Sequence, residues 1–441
     1  MLELLSDNIH LFILWISTNI NRIEGIFEIP GSIPIFGHLL QLGDDHAEAC
    51  EKLWRRYKKS VYQVRLGNTR AVVLNSFDDC RRMYITHQLS VIDRPVPHTI
   101  KVIARTKGLT IGTSPWNEST KKKRKSADVG HAISRLRGTS ENLQDYIPIM
   151  RYLPKTNKSA LSKSLSARRD KYLESLLSIA NERSRHGELP ECIYSAVLHD
   201  EETKLTKEDT STVCLSLVSG GFETVPSTII SCLGTLSTDQ GQIHQTEALK
   251  DIMRYYATTE EAWQKCVVEE KVPYVNALVK EALRYYTVLP FGQPRKTIRE
   301  IDWNGSTIPS GTTILFNTQA ANHDTAHFGP DAHVFDPRRW LEANITNPQE
   351  RESAGIQHFG FGGGSRMCPG YTIAQRMIYI LLVRVLTSYN LRASRQSPPN
   401  THFSQFNTTK TALVAVPARF KVKLTSHNEQ KLKDLLAIGS I

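Results

Sequence analysis

Residues Phe359 to Gly370 read Phe-Gly-Phe-Gly-Gly-Gly-Ser-Arg-Met-Cys-Pro-Gly, and no other segment constrains this chain of 441 residues as much. Glycines let a backbone pass close to a flat, bulky ligand. An apolar run from Ile373 to Tyr389 follows, so the loop enters a helix. Backbone N–H groups at a helix start can point at the Cys368 sulfur and favour its thiolate. Phe361, seven positions earlier, can shield that sulfur from water, and Arg366 can offset a carboxylate. A dinucleotide loop would use Gly360, Gly362 and Gly364, but no βαβ unit and no suitably placed acidic residue follow. A nucleophilic cysteine would need a histidine partner, and no known local pattern supplies one. Taken alone, the segment leaves two readings open: structural glycines around a buried cysteine, or a metal ligand.

The rest of the chain reads as α-rich α+β. Hydrophobic residues make up 40% and charged residues 22%, which excludes a disordered class. Val61 to Leu66 and Ala71 to Leu74 read as strands, with Gly67-Asn68 between them as a hairpin turn. Asn304-Gly305 predicts a second tight hairpin. Helical patterns dominate from Leu143 to Leu289, and strands never alternate with helices in βαβ fashion. The stretch Val213 to Leu233 is apolar nearly all round and predicts a buried helix. Gly220, Gly221 and Pro226 weaken its middle, so a kink and a local opening are expected there.

Seven cysteines, none in a CxxC pair, argue against a zinc ribbon or a disulfide framework and for a reducing compartment. The net charge of +11 suits nucleic acid, an anionic membrane or an acidic protein. The run Lys121 to Lys125 reads as a solvated helix face or a docking patch. No aromatic-bearing nucleic-acid motif accompanies it, so no nucleic-acid partner is expected. The apolar stretch Ile9 to Ile20 falls short of the roughly 20 residues of a spanning helix. It is read as a weak or truncated membrane anchor within residues 1–28. The proline- and glycine-punctuated segment Ile29 to Gly37 marks the start of the globular part, 29–441.

Five fixed positions in the cysteine segment (Phe361, Gly364, Arg366, Cys368 and Gly370) resemble the ligand signature of the cytochrome P-450 family. Further motifs resemble that family in its usual order. Ser219 to Thr224 is similar to its oxygen-activation motif, Glu281 to Arg284 to its Glu-x-x-Arg helix, and Phe335 to Trp340 to the downstream arginine motif. The resemblance implies a P-450 catalytic domain over 29–441, with small β-sheets near the N-terminal side and after the Glu-x-x-Arg helix. It implies heme b (iron protoporphyrin IX) with Cys368 as axial ligand; thiolate ligation, of which P450s are the type example, favours cleavage of the O–O bond. It further implies Thr224 and Glu223 as the oxygen- and proton-handling residues, and a buried triad of Glu281, Arg284 and Arg339. Arg295, Arg366 and Trp116 are the implied partners of the heme carboxylates, with Lys121 as a substitute for a basic residue missing at Thr120. Arg338 departs from the glutamate usual in the family. Electrons are expected from an NADPH-dependent cytochrome reductase on the cytosolic face of the endoplasmic reticulum membrane.

A narrower resemblance, to the fungal phenylacetate hydroxylase branch, rests on Leu109 to Trp116, Arg151 to Pro154, Ser219 to Pro226 and Phe328 to Pro330. It implies ring hydroxylation of a small aromatic acid, with Arg105 or Lys101 as partners for its carboxylate. Other members tailor secondary metabolites. Trp116 and Thr224 stand several dozen residues closer together than in the family. Part of the helical core is therefore expected to be missing near Ala127 to Ser134, and a heme-binding relic with little activity is the alternative reading.

Overall fold

The structure is a computed structural model that describes residues 20–96, 145–148, 150, 171, 174–188, 194–195, 205–341 and 356–438. The N-terminal half contributes α1 (His46–Tyr57), β1 (Val61–Leu66), β2 (Thr69–Leu74) and α2 (Phe77–Ile85). The long helix α3 (Lys207–Ser237) follows, then α4 (Gln242–Tyr255) and α5 (Pro273–Tyr285). Short strands come next: β3 (Arg295–Lys296), β4 (Ile301–Trp303), β5 (Ser306–Ile308) and β6 (Thr313–Phe316). The helix α6 (Tyr371–Ser388) precedes the ribbon of β7 (Tyr389–Ala393) and β8 (Val422–Ser426). Helices dominate and the sheets are small, as the sequence predicts.

Local chemistry accounts for most boundaries. Asp45 and Ser76 cap α1 and α2 through their side chains. Thr206 and Asp209 form a reciprocal capping box at the start of α3. Pro273 opens α5, where its missing N–H costs nothing. Between β4 and β5, Asn304 and Gly305 adopt φ of 55° and 80°, the left-handed pair that a two-residue hairpin turn demands.

One sheet joins distant parts of the chain. Its order is β1-β2-β6-β3, with β2 and β6 parallel and the other pairs antiparallel. Apolar residues of β1, β2 and β6 pack on both of its faces. Ile23 and Ile26 already belong to this core, so packing begins upstream of residue 29. A second core lies between the C-terminal half of α3 and helices α4, α5 and α6. The cysteine loop runs between the two cores.

One expectation fails. Helix α3 is not buried all round: Phe222 is 75% exposed, Ile230 43% exposed, and Pro226 between them faces solvent. These residues recur every four positions and form one stripe. On α6, Ile373 and Met377 are likewise exposed. No helix among the described residues covers this face. The backbone also stays helical through Pro226 rather than breaking. The Thr224 and Thr228 hydroxyls donate to the carbonyls four residues back, of Gly220 and Thr224. Among the described residues no helix is long and apolar enough to cross a membrane, and no disulfide forms. Residues 1–19, including most of the apolar N-terminal stretch, lie outside the described residues.

Candidate active site

The cysteine loop is held by its own backbone and by α2. The Cys368 N–H donates to the Phe361 carbonyl at 2.9 Å, and the Met367 N–H to the Gly364 carbonyl at 2.8 Å. Gly364 has φ +60°, and a Cβ there would fall 2.0 Å from the Tyr84 carbonyl oxygen, so only glycine fits. A Cβ at Gly363 would press on the Tyr84 side chain. Gly370 is the N-cap of α6, which puts Cys368 two residues before that cap.

Behind the loop sits the predicted triad. Glu281 and Arg284 are fully buried. Arg284 donates to both Glu281 carboxylate oxygens, at 2.7 and 2.9 Å, and to the carbonyls of Asn322 and Ala332. Glu281 also accepts from Arg339, the Trp340 indole and the Asp336 backbone. Every oxygen of this buried carboxylate is therefore hydrogen-bonded, which is the condition for tolerating an internal charge pair. Arg338, the departure from the family pattern, is exposed and pairs with Asp336 at 2.8 Å. His358 caps the turn ahead of the loop, its Nδ1 accepting from the Gly360 N–H. Burial drives its pKa down to about 3, with Lys280 and Arg284 pushing the same way, so its ring stays neutral.

Cys368 opens onto a cavity of about 410 Å³, within the usual size range of ligand pockets. Thr224, Gly220 and Gly221 of α3 line the same cavity, as do Phe361, Gly362 and Gly370 of the loop and Ile373 and Met377 of α6. Three guanidinium groups also line it: Arg94, Arg295 and Arg366, all buried. Arg295 donates to the Gly363 carbonyl and Arg366 to that of Ile92, so both brace the loop. Among the described residues that line it there is no Asp or Glu. Three buried cations around one apolar recess suit a ligand that carries acidic groups. A thiol at the cavity wall and a flat glycine-rich surface suit an iron porphyrin, whose propionates are such groups.

The structure thus brings Cys368, Thr224, Arg295, Arg366, Phe361 and Gly370 to one recess and Glu281, Arg284 and Arg339 to one cluster behind it. Gly364 braces the loop against α2, and Glu223 sits half-buried beside Thr224 on α3. Trp116, Lys121, Lys101, Arg105 and the stretch 127–134 lie outside the described residues. Sequence reasoning missed Arg94, which donates to the carbonyls of Gln293 and Pro294. The only local signal was a basic residue ahead of Pro95, whose ring holds the preceding backbone extended.

The model of the family described as Cytochrome P450 matches residues 109–424. A phenylacetate 2-hydroxylase of Emericella nidulans is 36% identical to this chain over 482 aligned positions, covering 92% of this chain and 91% of that protein. The chain belongs to the cytochrome P450 family. It is a P450 monooxygenase, an oxidoreductase that incorporates oxygen, and the family implies a heme cofactor. A 3-hydroxyphenylacetate 6-hydroxylase of the same fungus is 31% identical, covering 94% of this chain and 92% of that protein. A zebra fish cytochrome P450 solved with abiraterone shares the fold at a TM-score of 0.64 and 17% identity, over 87% of this chain and 99% of that one. The alignment with the first relative is longer than the 441 residues of this P450, so that relative carries stretches without a counterpart here.

Proposed function

We propose that this P450 hydroxylates the ring of phenylacetate or a related small aromatic acid, with Cys368 as the residue that would hold its heme iron. The observation that supports the site most is the shared recess: Cys368 on one wall, Thr224 on another, and Arg94, Arg295 and Arg366 around it. Arg295 and Arg366 would hold the heme carboxylates, with Arg94 lining the same recess, and Trp116 is assigned the same task. Bound heme supplies the oxidising chemistry. The apolar lining from Val225, Val288, Leu289 and Ile378 keeps an aromatic ring dry and close. Thr224, on the cavity wall, would serve as a proton donor, and its hydroxyl would have to turn from the Gly220 carbonyl to do so. Glu223 passes protons in from solvent, helped by water because Val225 replaces a second hydroxyl. One oxygen atom enters the C–H bond and the other leaves as water. The balance needs two protons and two electrons, the electrons coming from NADPH through a separate cytochrome reductase. The likeness to two arylacetate hydroxylases supports the substrate class. An N-terminal contact with the cytosolic face of the endoplasmic reticulum membrane belongs to the same proposal.

The test is a spectral binding titration with phenylacetate and its hydroxylated relatives, followed by product analysis with reductase and NADPH. A substrate-type shift and a ring-hydroxylated product are expected. No shift with any arylacetate would refute the substrate assignment. The exposed stripe on α3 favours a second reading, a heme-binding relic with little turnover; heme binding without any oxygenated product would support it.

A further inference from the structure

Tyr84 is 2% exposed and lines the recess, yet it belongs to none of the family motifs recognised in the sequence. Its ring stacks on Phe316 at 4.0 Å, and the Arg295 guanidinium lies 4.7 Å from the ring centroid. These contacts would be made equally well by phenylalanine. The hydroxyl is the part that packing does not explain. No group among the described residues hydrogen-bonds to it. It points toward Gly292 at the cavity rim, where an added Cβ would lie 3.5 Å away. A phenol O–H on a cavity wall is placed to pair with the molecule that fills the cavity. Burial raises its pKa although Arg295 and Arg94 pull the other way, so the group stays a proton donor.

We infer that the Tyr84 hydroxyl, with Arg94 and Arg295, forms a three-point carboxylate site that takes a heme propionate. This rests on the heme reading above and adds a neutral donor to it. Both guanidinium groups already donate to backbone carbonyls, of Gln293 and Pro294 for Arg94 and of Gly363 for Arg295. A phenol fixed by a stacked ring adds a donor of set direction, and a hydrogen bond to a charged acceptor is among the stronger kinds. The same chemistry would serve the carboxylate of an arylacetate, so the experiment separates the two sources.

The test compares wild type with Tyr84→Phe, which keeps the stacking ring. Heme release from the ferric holoenzyme to excess apomyoglobin is the readout. Release from the variant is expected to be about tenfold faster, the scale of one charge-assisted hydrogen bond. With heme dimethyl ester, whose carboxylates are blocked, the two proteins are expected to release at equal rates. The phenylacetate dissociation constant is expected to be unchanged. Equal release of ordinary heme, or the same acceleration with the diester, would overturn the inference. So would weaker phenylacetate binding with unaltered heme release, which would assign the hydroxyl to the substrate. A wild-type chain that takes up no heme would instead sink the functional reading, and this inference with it.

Discussion

The two walls of the recess are built differently. The cysteine-loop wall is braced from behind by a fully buried carboxylate with all its hydrogen bonds made, by Arg295 and Arg366 on loop and neighbouring carbonyls, and by glycines pressed against α2. The α3 wall has glycines at its centre and leaves Phe222, Pro226 and Ile230 to solvent. The contrast teaches that holding a cofactor and enclosing it are separable tasks. The first depends on residues within the described core. The second depends on what packs against the exposed stripe of α3, which no described helix covers.

The largest expected effect lies on the braced wall. Arg284→Ala removes the two-point partner of the fully buried Glu281 carboxylate and leaves it only the longer pair with Arg339 at 3.2 Å, and breaking a buried pair in this way costs about 3–5 kcal/mol. Chemical denaturation of the variant should show that loss together with reduced heme content; an unchanged midpoint would mean that the triad is not a brace. Next comes the apolar core shared by α5 and α6. Leu382 is fully buried there, and Leu382→Ala should cost about 2–5 kcal/mol by the same measurement.

A third expectation concerns pH. His358 titrates at about 3 when folded against an ordinary 6.5, because burial disfavours its charged form. The unfolded chain therefore binds the proton first. The stability from neutral His358 is complete above about pH 6.5 and is lost as the pH falls toward 3. His358→Asn, which keeps an acceptor for the Gly360 N–H, should flatten that part of the slope; His323, His38 and His46, whose pKa values burial also lowers, contribute to the rest. An identical slope in the variant would remove His358 from the account. The smallest effect belongs to the bare wall. Phe222→Ser should change stability by no more than about 0.5 kcal/mol, as for ordinary surface positions. A loss of several kcal/mol on denaturation would show that this stripe is covered and would erase the contrast.

What could be read in advance follows the same division. The β4–β5 turn was legible because Asn304-Gly305 is a local demand of backbone geometry. Glu281 and Arg284 were legible as a pair because three-residue spacing puts them on one helix face. The strands Val61–Leu66 and Thr69–Leu74 and the helix Tyr371–Ser388 lie within two residues of their expected bounds. Arg94 and Tyr84 were not legible. Arg94 acts through carbonyls about 200 residues away, and Tyr84 through a ring stack on β6 and the edge of a distant loop. The exposure of Phe222 was not legible either: an apolar helix predicts burial, and only the absence of neighbours reverses it.

The most direct test of the central claim is the carbon monoxide difference spectrum of the reduced protein, wild type against Cys368→Ser. The wild type should give the band of a thiolate-ligated heme, and the variant should lose it. A wild-type protein without that band, or a Cys368→Ser protein that keeps it, would contradict the assignment of Cys368 as the ligand.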